Sequence, residues 1–158
     1  MVRKTVMTAL MFAAIVGCQP KGVAMDAAEL TDFAKRYTAA WCSQDPASVA
    51  AFFSADGSLT INLGTPSVGR EAITEAARGF MDAFPDLVVT MDGIAREGEG
   101  AVYRWTLIGT NTGPGGTGRS VRISGYEEWT LGTDGLIARS SGHFDEDDYQ
   151  RQLVAGAD

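Results

Sequence analysis

The sequence predicts an α+β domain in which three helices in the first half of the chain pack on a curled antiparallel sheet, with a short helix at the end. Two patterns carry this prediction. Apolar residues recur at helical spacing in three segments before residue 85, and from residue 87 onward strand-like segments alternate with glycine-rich turns. At 158 residues, with 45% hydrophobic and 21% charged residues, the chain has the size and composition of one globular domain.

Three helices are predicted by apolar residues at steps of three and four. The first spans residues 27–41, the second starts at Asp45 and Pro46, and the third runs from about Arg70 to Phe84, where Pro85 ends it. Asp45 suits the N-cap and Pro46 the first helical position. The apolar faces are Leu30, Phe33, Ala34, Tyr37 and Trp41 in the first helix, Val49, Phe52 and Phe53 in the second, and Ile73, Ala77, Phe80 and Phe84 in the third.

Strand-like alternation predicts the sheet. Residues 58–63 place Leu59, Ile61 and Leu63 on one face of a strand between the second and third helices. Four more strands are predicted at 87–91, 101–112, 121–131 and 136–144, joined as antiparallel hairpins by turns at 98–100, 113–118 and 133–135. Residues 146–154 form the predicted last helix.

The first 17 residues have the pattern of an export signal. Arg3 and Lys4 precede an apolar run that is shorter than the ~20 residues of a membrane span. The run ends in Ile15-Val16-Gly17-Cys18, which resembles the lipobox of bacterial lipoproteins. That resemblance implies a lipid anchor on Cys18, a tether over 18–26, a folded domain over 27–154 and, because Gln19 follows, the periplasmic face of an outer membrane. An ordinary secretory peptide, with Cys18 incidental, is the alternative.

Charge and residue counts narrow the partners. Twenty acidic and 13 basic residues give a net charge of −7, which disfavours nucleic acid and leaves the lipid anchor as the predicted contact with a membrane. One histidine and two cysteines argue strongly against a zinc cluster of the usual Cys/His type, and no metal or other cofactor is predicted. Cys42, beside Trp41 in a helical pattern, is predicted to be a buried and inert thiol.

Three segments carry a family resemblance. They are GREAITEAARGFMDAFPDL at 69–87, YRWTLIGTNTGPGGTGR at 103–119 and DGLIARSSGHFDEDDYQRQL at 134–153. Their order and spacing resemble the SnoaL-like branch of the nuclear transport factor 2-like superfamily. The resemblance implies a cone-shaped fold in which helices and a bent sheet enclose an apolar pocket, and a homodimer formed through the open sheet face. The superfamily includes polyketide cyclases, ketosteroid isomerases, epoxide hydrolases, dehydratases and binding domains, so the fold leaves the function open.

Glu127 is the first candidate for a catalytic residue. In the predicted strand over 121–131 it shares a face with apolar residues. This face is expected to line the pocket together with alternate residues of the last strand, Leu136, Ala138, Ser140, Gly142 and Phe144. Burial raises the pKa of a carboxyl group toward neutrality, which suits acid–base catalysis. Alternatively, Glu127 forms an ion pair with Arg104, Arg122 or Arg139, or lies at the rim.

Two further catalytic candidates stand at the end of the last strand. Asp145 resembles the late-strand aspartate of the cyclases, although the position that aligns with that aspartate is closer to Gly142, and Asp145 also suits the N-cap of the last helix. Histidine is the side-chain type whose unperturbed pKa lies near neutral pH, but His143 is predicted on the outer face. The candidate ligand-binding residues are Tyr37, Trp41, Asn62, Phe80, Phe84, Trp105 and Trp129.

Two functions therefore remain open at the level of sequence. One is a cofactor-independent acid–base enzyme of cyclase, isomerase or hydrolase type acting on a small hydrophobic molecule. The other is a non-catalytic envelope lipoprotein that binds a ligand or acts as a dimeric interaction module.

Overall fold

The computed structural model of the protein describes residues 25–157 and confirms the predicted α+β architecture. The predicted signal segment, Cys18 and most of the tether lie outside the described residues. Helices at the N-terminal end and a short C-terminal helix accompany one curved, unclosed sheet of six strands, consistent with a cone-shaped fold.

The helices begin and end close to the predicted positions. They are α1 (Ala27–Trp41), α2 (Pro46–Ala50), α3 (Gly69–Ala83) and α4 (Glu146–Ala155). A capping box fixes the start of α1, because the Asp26 carboxylate accepts from the Glu29 backbone N–H while the Glu29 side chain accepts from Asp26 N–H. Asp45 caps α2, and Pro46 follows it as predicted.

The strands are β1 (Phe53–Ile61), β2 (Ser67–Val68), β3 (Val88–Glu97), β4 (Gly100–Thr110), β5 (Ser120–Leu131) and β6 (Ile137–Phe144), in the sheet order β2-β1-β6-β5-β4-β3. Strands β3 to β6 are successive antiparallel neighbours, as predicted. In contrast to the antiparallel prediction, β1 pairs with β6 in parallel, which the long connection through α3 and the four strands β2 to β5 permits.

The sequence misplaced the first strand. The predicted second helix includes Phe52 and Phe53, but α2 ends at Ala50 and β1 begins at Phe53, where Ile137 N–H of β6 donates to the Phe52 carbonyl at 2.9 Å. The strand also ends earlier than predicted. Asn62 has a positive φ of 49°, so the alternation stops, and Leu63, predicted on the same face as Leu59 and Ile61, is fully exposed.

Two more predictions are corrected at the sheet margins. A bulge between Thr130 and Leu131 shifts the register with β6, so that Ile137 is fully buried, whereas Leu136 and Ala138, predicted on the inner face, are half-buried. Cys42 is exposed rather than buried, because it caps the end of α1, where its Sγ lies 3.2 Å from Val89 N and 3.3 Å from Val89 O.

One hydrophobic core fills the space between the sheet and the helices. α1 packs on β3, and α3 packs on β1 and α2. Tyr37 of α1 lies at the centre, fully buried, with its ring at edge-to-face angles to Phe52, Tyr103 and Trp129. Across residues 25–157 none of the helices combines the length and apolarity needed to span a membrane.

A candidate ligand pocket with a buried carboxylate

An apolar cleft opens between the inner face of the sheet and the C-terminal ends of α1 and α3. It encloses about 520 Å³ of empty space, open solvent at its mouth included. Its lining consists of Trp41, Leu59, Ile61, Phe80, Val89, Tyr103, Trp105, Leu107, Glu127, Gly142 and Phe144.

Glu127 is the one carboxylate in this lining. Strict alternation along β5 turns it inward between Gly125 and Trp129, and its side chain is only 6% exposed. Gly142 faces it directly across the β5–β6 ladder. Because Gly142 has no side chain, the space beside the carboxylate stays open to the cleft.

Three neutral donors from three elements hold the carboxylate. Ser140 Oγ of β6 donates to Oε2 at 2.6 Å, and Trp129 Nε1 of β5 donates to Oε2 at 2.8 Å. Tyr37 Oη of α1 lies 3.1 Å from Oε2 and 3.3 Å from Oε1. Oε2 is therefore saturated with donors, whereas Oε1 has only a share of the tyrosine hydroxyl. None of these partners is an arginine, so the predicted alternative of an ion pair is wrong.

The surroundings of Glu127 favour its neutral form. Burial raises the pKa of Glu127 above its ordinary value, and the hydrogen bonds from Ser140, Trp129 and Tyr37 oppose this shift without cancelling it. Burial also raises the pKa of Tyr37 well above its ordinary value, to which the adjacent charge of Glu127 adds. The tyrosine therefore remains a proton donor in its hydrogen bond when the carboxyl group titrates.

A second layer of contacts fixes these donors. The rings of Tyr103 and Trp129 stack at 4.9 Å with 16° between their planes, and Tyr103 Oη lies 2.7 Å from Thr38 Oγ1. Burial raises the pKa of Tyr103 above its ordinary range. Tyr37 and Trp129, two of the three donors to Glu127, thus belong to one aromatic cluster with Tyr103.

Trp105, which also lines the cleft, differs from Trp129 in its hydrogen bonding. Its Nε1 is buried and has no acceptor among residues 25–157, and no other buried side-chain nitrogen or oxygen of this part of the chain is left in that state. The ring packs against Phe144 at 6.2 Å between centroids and covers Gly125, where an added Cβ would lie 2.6 Å from Trp105 Cζ2.

The other two catalytic candidates lie outside the cleft. Asp145 is exposed and caps α4, since its Oδ1 accepts from Asp148 N–H at 2.9 Å. His143 lies on the outer face, where its Nε2 is 3.1 Å from Glu128 Oε2 and its ring stacks on Tyr126 at 4.8 Å. Both residues therefore make contacts that stabilise the surface of the protein, and neither faces the cleft.

The candidate ligand-binding residues divide into two groups. Trp41, Phe80 and Trp105 line the cleft, whereas Tyr37 and Trp129 lie behind Glu127 as its donors. Phe84 is fully buried away from the lining, and the Asn62 side chain bonds to Phe144 N–H and to Glu146. The lining residues that were not among the candidates are Leu59, Ile61, Val89, Tyr103, Leu107, Gly142 and Phe144.

Strand parity predicted Gly142 and Phe144 on the pocket face, and the same rule applies to β4. Tyr103 and Leu107 share the inner face of β4 with Trp105, and Gly142 and Phe144 share that of β6 with Ser140. Val89 of β3 lies directly across the ladder from Leu107, so it shares the same inner face. Within residues 25–157, no group of three His, Cys, Asp or Glu side chains is arranged to hold a metal ion.

The fold and the cleft define a protein of the nuclear transport factor 2-like superfamily. More particularly, residues 34–140 match the SnoaL-like domain, and the chain belongs to that family. No curated protein matches the chain.

Solved structures of low sequence identity share the fold. TsrD from Streptomyces laurentii has a TM-score of 0.72 and 27% identity, over 83% of this chain and 98% of its own. A hypothetical protein of ketosteroid isomerase-like fold from Catenulispora acidiphila, in complex with trimethylamine, has a TM-score of 0.65 and 17% identity. This match covers 73% of the present chain and 86% of the other. TerC, co-crystallised with polyporic acid, has a TM-score of 0.64 and 14% identity, and the match covers 78% of the present chain and 96% of TerC. At these identities the last two similarities show the fold alone.

Proposed function

We propose that the cleft binds a small, largely apolar molecule and that Glu127 exchanges a proton with it, in a cofactor-independent reaction of cyclase, isomerase or hydrolase type. The observation that carries the proposal is a single buried carboxylate at an otherwise apolar cleft, with Oε2 anchored by three donors and Oε1 left for the ligand. The family includes such chemistry, and two of the structural neighbours are complexes with small molecules.

The raised pKa of Glu127 supports this role, because a group that titrates nearer to neutral pH can both take and return a proton. The rigid donors give the carboxyl group one orientation, which spares the reorientation that a mobile side chain would need. The apolar lining excludes water and strengthens the electrostatic interaction with a developing enolate.

Proton exchange beside a carbonyl group tests the proposal directly. We expect the protein to catalyse exchange of the α-protons of 1-tetralone in D₂O, followed by NMR, and Glu127→Gln to abolish that catalysis while 1-tetralone still binds. Glutamine keeps an oxygen for the three donors and places an NH₂ group at the position of Oε1, so it imitates the neutral acid without carrying an exchangeable acid proton.

Asp145→Asn is the matched control, because asparagine also caps helices and Asp145 lies outside the cleft. Its exchange rate should equal that of the wild-type protein. Catalysed exchange that survives unchanged in Glu127→Gln would remove Glu127 from the mechanism.

Binding without catalysis is the second candidate function, and the hydrogen bonding of Glu127 favours it. Three donors around a carboxylate would equally stabilise a buried polar cluster that has only a structural role. In addition, Tyr103 is the only other titratable side chain in the lining, so the cleft offers no second carboxyl group or histidine for acid–base catalysis. Under this alternative the protein retains hydrophobic compounds, and neither the wild-type protein nor Glu127→Gln accelerates the exchange.

We also propose that the protein is exported, anchored by lipid on Cys18 and dimeric. The signal pattern supports the first two points, and intact-mass measurement of the mature N-terminus tests them, because an unmodified Cys18 contradicts the anchor. Exposed Val88, Ile108 and Tyr126 on the outer sheet face support the dimer. Sedimentation that shows only monomer at high concentration contradicts it.

A further inference from the structure

The cleft as it stands is too small for a bicyclic molecule. Its empty space includes the open mouth, whereas the room for the centres of water-sized molecules amounts to about 50 Å³. A buried water needs about 10–15 Å³ of such room. A few waters therefore fit, and a compound such as 1-tetralone can enter only if part of the wall moves.

Helix α4 supports the wall of the cleft at Phe144. The ring of Tyr149 in α4 packs on Phe144, a lining residue, at 5.6 Å between centroids. The same tyrosine ring lies 6.4 Å from that of Phe84, the C-cap residue of α3. The Phe144 ring also packs against Trp105 of the lining, at 6.2 Å. Tyr149 thus connects the sheet to the helix layer at the end of β6 and keeps Phe144 in the wall.

Little apolar burial holds α4 in place. Of its ten residues only Gln152 is buried, and this residue is polar, while Tyr149 and Leu153 are half-buried. By comparison, α1 buries six residues, α2 two and α3 three. Segments with few buried apolar contacts open at a lower free energy than the core does. Among the four helices, α4 is therefore the one expected to detach most easily.

Gln152 fastens α4 to the sheet through hydrogen bonds. It lies beside β5 beyond the end of β6, where its Oε1 accepts from Arg122 N–H at 2.6 Å and its Nε2 donates to the Arg122 carbonyl at 3.0 Å. Nε2 also lies 2.7 Å from Asp148 Oδ2. Water can satisfy the same groups once α4 has left, so the net contribution of such bonds to stability is small. Gln152 is in this sense a latch that opens at modest cost.

We propose that α4 is an autoinhibitory strap: docked, it holds Phe144 in the wall of the cleft, and its release at the Gln152 latch lets Phe144 swing outward and admits the ligand. The inference rests on the proposed function and adds a conformational control to the same site. Ligand binding and the docking of α4 exclude each other. The apparent affinity is then the intrinsic affinity multiplied by the fraction of molecules in which α4 is detached.

A weaker latch should therefore tighten binding although it makes the protein less stable. We expect Gln152→Ala to raise the affinity for 1-tetralone about tenfold, measured by quenching of the fluorescence of Trp41 and Trp105 in the lining. Gln152 is not a lining residue, so a merely structural role would not produce this gain. Gln150→Ala is the matched control, because Gln150 is exposed on the same helix and bonds to Glu146 within it. Its affinity should stay within about twofold of wild type.

Hydrogen exchange on the wild-type protein tests the strap without any substitution. Amides of α4, such as Tyr149 N–H on the Asp145 carbonyl, should exchange through a local opening that depends only weakly on urea. Amides of β5 should show the steep urea dependence of global unfolding. Saturating 1-tetralone should slow exchange in β5, because it stabilises the fold, and speed it in α4, because the bound form keeps the strap detached.

Each other outcome overturns the inference. If α4 exchanges only with global unfolding, or if 1-tetralone slows exchange in α4 as well as in β5, the strap is refuted while the proposed binding site stands. Unchanged or weaker binding of 1-tetralone by Gln152→Ala refutes the autoinhibition. If 1-tetralone binds neither the wild-type protein nor Gln152→Ala, the proposed function and the inference fail together.

Discussion

Replacement of Glu127 by glutamine should change how the stability of the protein depends on pH. In the unfolded chain this carboxyl group titrates near its ordinary pKa of about 4.3, whereas burial raises its pKa in the folded protein. Between the two pKa values the folded state holds a proton that the unfolded state has lost. The free energy of unfolding that Glu127 contributes is thus fully present below the unfolded pKa and falls as the pH rises through the folded pKa.

The structure sets the size of this effect. Glu127 is the only carboxyl group among the buried polar residues of the described chain, so one proton is involved. One proton corresponds to a slope of at most about 1.4 kcal/mol per pH unit. Glutamine keeps the three donors paired and does not titrate. We therefore expect Glu127→Gln and wild type to be about equally stable near pH 4, with the variant gaining relative to wild type as the pH rises.

Urea denaturation of both proteins from about pH 4 to about pH 8 measures the difference. Exposed carboxyl groups whose pKa is lowered, such as Asp86 and Asp134, also make stability depend on pH. They do so equally in both proteins, so their contributions cancel in the difference between the two free energies of unfolding. Two parallel stability curves would show that Glu127 has the same pKa in the folded and unfolded states, which would refute the argument from burial.

Four further substitutions test other contacts of the structure. Glu127→Leu should lower the free energy of unfolding, measured by urea denaturation, by about 3 kcal/mol or more, because it leaves three buried donors without the acceptor that glutamine would provide. A decrease as small as that of Glu127→Gln near pH 4 would contradict this. Asp145→Ala should lower the free energy of unfolding by about 1 kcal/mol, because it removes the N-cap of α4, and should not weaken ligand binding. A weakened affinity would place Asp145 at the site. Gly142→Ala should keep its melting temperature but bind 1-tetralone more weakly, because its Cβ meets only ordinary contacts at 3.4 Å or more. Gly125→Ala should unfold at lower temperature, because its Cβ would lie 2.4 Å from a backbone oxygen, and equal stability of the two variants would refute the distinction.

Local patterns predicted most of the elements because their causes are local. The periodicity of α1, the cap formed by Asp45 and the glycine turns between β3 and β6 involve residues close in the chain. The prediction that Glu127 faces inward has the same basis, since alternation along one strand fixes it. Phe53 and Leu63 were misplaced because the start of β1 depends on β6 and its end on the positive φ of Asn62.

By itself, the sequence determined the α+β architecture, the inner face of β5 and the carboxylate that this face carries. The tertiary structure alone decided what surrounds that carboxylate, because Tyr37 and Ser140 reach it from α1 and β6 across 90 and 13 residues of chain. It also decided that Trp105 Nε1 has no acceptor in the described chain while Trp129 Nε1 has one. Hydrogen-bond partners depend on distances between elements, and these are fixed only when the sheet curves and the helices pack against it.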